Sequence, residues 1–204
     1  MVNLKITDSH TGIPYQPCEH PGGDRNYGYV DLKKHPNKVE SIPELMDSPE
    51  LCELVRELNH SRSLFRSVGV EKSLSPSGDD TFPFKRTSFT IFVFEILDWN
   101  HEENWRRLHQ EFGTHVAAES LNWTDTERML IKLEIEINWV TFNDHNALRK
   151  RGCTFWVDGF GRTEKEAMDC WRLGIRSLQS FSFSARQRFH DQLDKGYKLI
   201  TQRT

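Results

Sequence analysis

Long hydrophobic runs are missing from this 204-residue chain. No stretch of about 18 apolar residues occurs, so no helix is expected to span a membrane. The start, Met1-Val2-Asn3-Leu4-Lys5, lacks the basic residues and apolar stretch of a secretory signal. A paired cysteine framework is missing too. The four cysteines (Cys18, Cys52, Cys153 and Cys170) form no CxxC motif, and the last three fall on apolar faces, where they read as small core hydrophobes. A reduced, cytoplasmic setting is therefore expected. A strong charge of either sign is absent: the net charge is −3 and the pI is near 6.3, which makes nucleic acid the less expected partner.

Catalytic signatures are absent as well. The chain has no GxSxG elbow, no Walker loop and no HExxH pair. Gly159-Phe160-Gly161 follows a strand and precedes a helix, but lacks the third glycine of a dinucleotide fingerprint. No cofactor is implied.

What the chain does have is a block that occurs twice, two apolar strands followed by one amphipathic helix. The first copy runs from about Ser63 to Ala118 and the second from about Arg128 to Phe189. Before them, residues 1–40 carry Gly12, Pro14, Pro17, Pro21, Gly22 and Gly23, which break any long element. They read as an extended Gly/Pro/His-rich arm, anchored by Tyr15, Tyr27 and Tyr29, in front of a single α+β domain over 41–204. Ser48-Pro49-Glu50 is a helix start, with a serine cap, proline next and an acid in the first turn. Leu51, Leu54, Val55 and Leu58 continue it at helical spacing.

In the first copy, Ser63–Leu74 reads as a strand with Leu64, Arg66, Val68 and Val70 on one face, and the stretch from Phe89 to Leu97 as a strand covered on both faces. Asn100 is placed to cap a helix whose stripe is Trp105, Leu108, Phe112 and Val116. In the second, Ile131, Leu133, Ile135, Ile137 and Trp139 alternate with Lys132, Glu134, Glu136 and Asn138, as in a strand with one wet face. Residues 143–151 read as a polar turn before the strand Cys153–Val157. Thr163-Glu164-Lys165-Glu166 is a capping box, opening a helix with Ala167, Cys170, Trp171, Gly174, Leu178 and Phe181 inside. Tyr197–Ile200 reads as a last short strand. The expected fold is an antiparallel sheet of about four to five strands with helices on one face, ββα repeated twice, with a ferredoxin-like plait as the best single choice.

The stretch from Val157 to Ala167 resembles the strand–turn–helix junction of HicB-type antitoxin domains. The likeness covers only this short segment, its pattern is shared with general capping chemistry, and no function is carried over from it.

Three functional classes follow. The first is a non-enzymatic binding protein, docking a partner or a second copy of itself (a homodimer) through the sheet. Trp99, Trp123 and Trp156 fall at element ends or on an outer strand face, where exposed aromatics favour contact with a partner; Trp105, Trp139 and Trp171 sit on core stripes. The second is a binder of a small anionic ligand or nucleotide phosphate. Arg149, Lys150 and Arg151 would supply charge at a hairpin tip, with Arg162 and Thr163 at a helix start; arginines of the last helix (Arg172, Arg176, Arg186 and Arg188) would add to it if they faced the same way. The third is an enzyme using a metal through His101 and His109 or through Cys18, His20 and His35, although no ligand set has the spacing of a closed site and no metal residue is assigned.

Overall fold

The computed structural model describes residues 2–19 and 25–194. The expected strand Tyr197–Ile200 lies outside the described residues. Strand β1 (Val2–Ile13) opens the chain, followed by a two-stranded ribbon of β2 (Cys18–Glu19) and β3 (Arg25–Asn26). Helix α1 (Pro49–Leu58) leads to the hairpin β4 (Phe65–Pro76) and β5 (Phe84–Phe94), then α2 (Glu102–Glu119) and the short α3 (Asp125–Leu130). The hairpin β6 (Ile131–Phe142) and β7 (Leu148–Gly161) follows, and α4 (Glu164–Asp194) closes the described chain.

Five strands form one open sheet in the order β1-β6-β7-β5-β4. All neighbours are antiparallel except β1 and β6, which run parallel. The sheet is therefore mixed, which corrects the expectation of a fully antiparallel one. Its source is β1, in residues expected to be an extended arm. Val2, Leu4 and Ile6 alternate with Asn3 and Lys5, and Val2 and Leu4 bury against the helices opposite Leu133 and Ile135. Gly12 is accommodated within the strand, opposite Thr141, and Pro14 comes only after the strand is complete.

The main core lies between the sheet and α1, α2 and α4. Leu51, Leu54, Val55 and Leu58 of α1 meet Trp105, Leu108, Phe112 and Val116 of α2 and Trp171, Ile175, Leu178 and Phe181 of α4 over Phe92, Ile135, Ile137, Phe155 and Val157. Phe112 packs edge-on against Phe155 at 4.6 Å. The two fully buried indoles find acceptors, Trp105 Nε1 at the Arg151 carbonyl (2.9 Å) and Trp171 Nε1 at Ser88 Oγ (2.8 Å). Trp139 departs from this pattern: it is only half-buried, at the sheet end, beneath two guanidinium groups.

Local details differ from the expected ones in three places. A bulge between Ser67 and Gly69 sends Val68 to the face away from the helices and keeps Val70 against the main core, so the two do not share a face. Asn100 does not cap α2; His101 occupies that position, while Asn100 is bonded back to the end of β5. At α4, Thr163 Oγ1 accepts the Glu166 N–H, but the Glu166 carboxylate takes the Arg162 N–H instead of completing the box. The complete capping box is Thr124 with Glu127, at the start of α3.

Among the described residues no helix is long and apolar enough to cross a membrane.

Candidate functional site

Helices cover one face of the sheet. On the other, two regions behave differently. Near the β6–β7 turn, Ile13, Val68, Val93, Val140 and Phe142 form a second cluster, with Tyr15 and Tyr29 packed on it. The segment after β1 thus folds back across part of the sheet, pinned where the Tyr29 N–H donates to the Tyr15 carbonyl at 3.1 Å. Towards the other end of β7, the face is built from side chains of β5, β6 and β7 in register.

The register brings Phe89 beside Trp156, Thr87 beside Asp158 and Lys132 across from Asp158. Phe89 and Trp156 have ring centroids 4.9 Å apart, and both are half-buried. Trp156 Nε1 donates to Glu136 at 3.0 Å. Thr7 and Ser9 of β1 donate to the same carboxylate at 2.6 and 2.9 Å. Glu136 is 8% exposed. Burial raises its pKa, but the three hydrogen bonds and the Lys5 charge outweigh burial and hold it below the ordinary value. Asp158, also buried, accepts from Thr87 Oγ1 at 2.7 Å and pairs with Lys85 at 3.4 Å. Asn138 Nδ2 donates to Thr154 Oγ1 at 2.6 Å. Lys132 and Glu134 pair at 3.7 Å on the rim.

Both buried carboxylates are engaged by their own chain, Glu136 by three donors and Asp158 by Thr87 and Lys85. What the face presents is a fixed indole, a neighbouring phenyl ring and charges of both signs.

Among the predicted partner-binding residues, only Trp156 lies here. Trp99 is half-buried edge-on to Phe94 at 6.2 Å, at the β5–α2 corner. Trp123 is half-buried against the main core just before α3, its carbonyl accepting from Arg128. The three indoles do not form one surface.

The predicted anion-binding residues are also separated. Arg149, Lys150 and Arg151 belong to β7, because Trp139 and Thr141 of β6 pair with Arg151 and Arg149 and extend the hairpin into the expected turn. Arg149 and Arg151 stack on Trp139, at 4.3 and 3.8 Å from its ring centroid. Arg151 also donates to the Thr7 carbonyl and pairs with Glu102; Lys150 pairs with Asp98. Arg162 and Thr163 lie past the other end of β7, about 40 Å away along an extended strand. They line a 540 Å³ open groove with Glu127, Glu166 and Asp169. Arg162 is engaged by Glu166 and Lys165 by Asp169, so the groove has no net surplus of cations. The Cys170 thiol there is pushed up to about 11 by burial and by those three acids, which leaves it inert. On α4, Arg172 and Arg176 pair with Glu50, Arg186 with Glu57 and Arg188 with Glu111.

Among the described residues the histidines do not converge on a metal site. His109 Nε2 meets the Val2 carbonyl at 3.0 Å and His115 Nε2 meets Ser180 Oγ at 2.8 Å, while His20 lies outside the described residues. No group of three or more His, Cys, Asp or Glu side chains among the described residues has the geometry to hold a metal.

Sequence reasoning missed Phe89 and placed Glu136 only as an acid on a wet strand face. Phe89 is the first residue of a run apolar on both faces, so its outward orientation has no periodic signal. Glu136 does lie on the wet side of a clean alternation, but the donors that bury it, Thr7 and Ser9, are 129 and 127 positions away. No family model matches the chain, and no curated protein or solved structure is similar to it at a significant level.

Proposed function

We propose that this chain is a non-enzymatic interaction protein that docks through the open part of its sheet face, with a second copy of itself as the partner. The observation that carries the reading is the Phe89–Trp156 pair, held in place by the Glu136 hydrogen bond rather than left to rotate. A rigid aromatic anchor loses little side-chain entropy on association. The surrounding Lys132–Glu134 and Lys85–Asp158 pairs carry both signs, which suits an isologous contact in which each patch meets its own copy.

The same reading takes β4–β7 with α2 and α4 as a ferredoxin-like plait whose chain begins at a different strand. Their order β6-β7-β5-β4, antiparallel throughout, supports it, with β1 as an added edge. The free thiols of Cys52, Cys153 and Cys170 suit a reducing, cytoplasmic compartment.

Size-exclusion chromatography with light scattering over a concentration series tests the self-association. A dimer that dissociates in Phe89→Glu, with an unchanged melting temperature, is the expected result. A strict monomer at every concentration removes the second copy as partner.

A further inference from the structure

A second place on the molecule has the character of a small-molecule site. At the outer edge of β4, a 270 Å³ cleft opens between Ser67–Val70, the segment around Tyr15 and the turn Ser41–Glu44. Its walls are mainly aliphatic, from Val55, Val68, Val70 and Ile42. The volume is slightly below the usual range for drug-sized ligands, about 300–1,000 Å³, which restricts an occupant to a small molecule.

The bulge and glycine of β4 border this space. A Cβ on Gly69 would press on Ile91 Cδ1 at 3.3 Å and come into ordinary contact with the Tyr15 hydroxyl at 3.6 Å, which places the phenol beside this glycine. Polar residues interrupt this aliphatic lining, Ser41, Ser67 and Tyr27 among them, and two bear on what it could hold, Tyr15 and the one acid, Glu44. The Glu44 carboxylate forms no ion pair among the described residues. Lys72, the nearest cation acting on it, is committed elsewhere, donating to the Met46 carbonyl and to Ser48 Oγ. Glu71 adds repulsion. The cleft therefore combines aliphatic walls, a phenol and a carboxylate that the described residues leave without an ion pair, although the Lys72 charge acts on it.

We propose that the cleft binds a small primary amine, in its protonated form, carried on a branched aliphatic or aromatic body. The ammonium group would pair with the Glu44 carboxylate and donate to the Tyr15 oxygen, and the body would bury against Val55, Val68 and Val70. A cation supplies what the site lacks, whereas a carboxylate or phosphate would meet Glu44 as a like charge. Burial, followed by the Glu44 charge, pushes the Tyr15 phenol up to about 12. The hydroxyl is thus retained as a neutral donor and acceptor at neutral pH.

The test is calorimetric titration of the full chain with isopentylamine and phenethylamine, beside their neutral counterparts isopentanol and 2-phenylethanol. The amines bind and the alcohols bind at least about tenfold more weakly, the difference expected of one charge-assisted hydrogen bond. Glu44→Gln brings the amines to the level of the alcohols while the unliganded melting temperature holds or rises. Tyr15→Phe, which keeps the wall and drops the hydroxyl, gives a smaller loss and serves as the second variant. Equal affinity for amines and alcohols overturns the proposal. So does amine binding that survives Glu44→Gln, or no binding by any of the four compounds.

Discussion

The indole N–H of Trp156 donates to the carboxylate of Glu136 two residues off the cross-strand register, since Glu136 lies opposite Thr154 and Trp156 opposite Glu134. This diagonal bond ties a half-buried indole of the sheet face to one of its buried charges.

That link makes acid sensitivity a readout of the site. The Glu136 pKa is lowered from 4.5 in the folded state, so its contribution to stability is fully present above the unfolded value and is lost as pH falls through the folded one. Urea unfolding between pH 7 and pH 3 checks it. Below about pH 4.5 the wild type loses stability more steeply than Glu136→Gln, whose neutral amide cannot titrate. Trp156→Phe removes one of three donors and lowers stability at pH 7 by about 1–2 kcal/mol. Parallel pH profiles for wild type and Glu136→Gln would show that the carboxylate is not held as described.

The contact of β7 with α4 rests on close backbone approach. A Cβ on Gly159 would lie 2.3 Å from the Ala167 carbonyl oxygen and 2.3 Å from the Trp171 nitrogen, both backbone atoms with nowhere to go. Gly159→Ala is expected to destabilise by about 3 kcal/mol or to prevent folding. Gly113, in the middle of α2, is the control, since a Cβ there meets nothing within 4 Å. Gly113→Ala is expected to stabilise by about 0.5–1 kcal/mol through helix propensity alone. Chemical denaturation of both variants separates packing from propensity.

A third prediction concerns the clamp between α1 and α4. Arg186 meets Glu57 through two near-parallel bonds of 2.7 and 3.0 Å, and each side chain is 12% exposed. Lysine keeps the charge but not the fork. Arg186→Lys is expected to cost about 1–2 kcal/mol, and Arg186→Ala about 2–4 kcal/mol, because it leaves Glu57 largely buried without its partner. Thermal melts of the two variants give the ranking; equal losses would mean the fork geometry contributes nothing.

The elements that could be read from the sequence are those whose signal is local. The i, i+3, i+7 stripe of Trp105, Leu108 and Phe112 places α2, and the alternation from Ile131 to Ile137 places β6, because each depends only on which side of one element meets the core. Strand β1 was hidden behind the glycines and prolines that follow it, and its parallel partner lies some 130 residues away in sequence, beyond the reach of any short window. Helix α3 is only six residues long, yet Thr124-Asp125-Thr126-Glu127 carries its capping signature. The candidate face was half legible: Trp156 stood out as an indole on an outer strand position, while Phe89 merged into an apolar run. The cleft at β4 had no signature at all, since it depends on a bulge and on a loop packing back from the first strand.

Asn100 separates two explanations of the same residue. An asparagine just before a helix reads as a cap, and serine replaces asparagine at a cap for a few tenths of a kcal/mol. Here the side chain instead accepts the Phe94 N–H at 2.9 Å and donates to the Phe94 carbonyl at 3.0 Å, with the Ile96 and Leu97 carbonyls at 3.3 and 3.2 Å. Its own carbonyl accepts the Arg151 N–H at 3.1 Å, so one buried residue joins the end of β5, the start of α2 and the beginning of β7. A serine hydroxyl cannot reach both backbone groups of Phe94. Asn100→Ser is therefore expected to cost about 2–4 kcal/mol, the desolvation of the groups it leaves unpaired. It should also loosen the hairpin end that carries Arg149 and Arg151, seen as faster amide exchange at Arg151. A loss of only a few tenths of a kcal/mol would return Asn100 to the role of an ordinary cap.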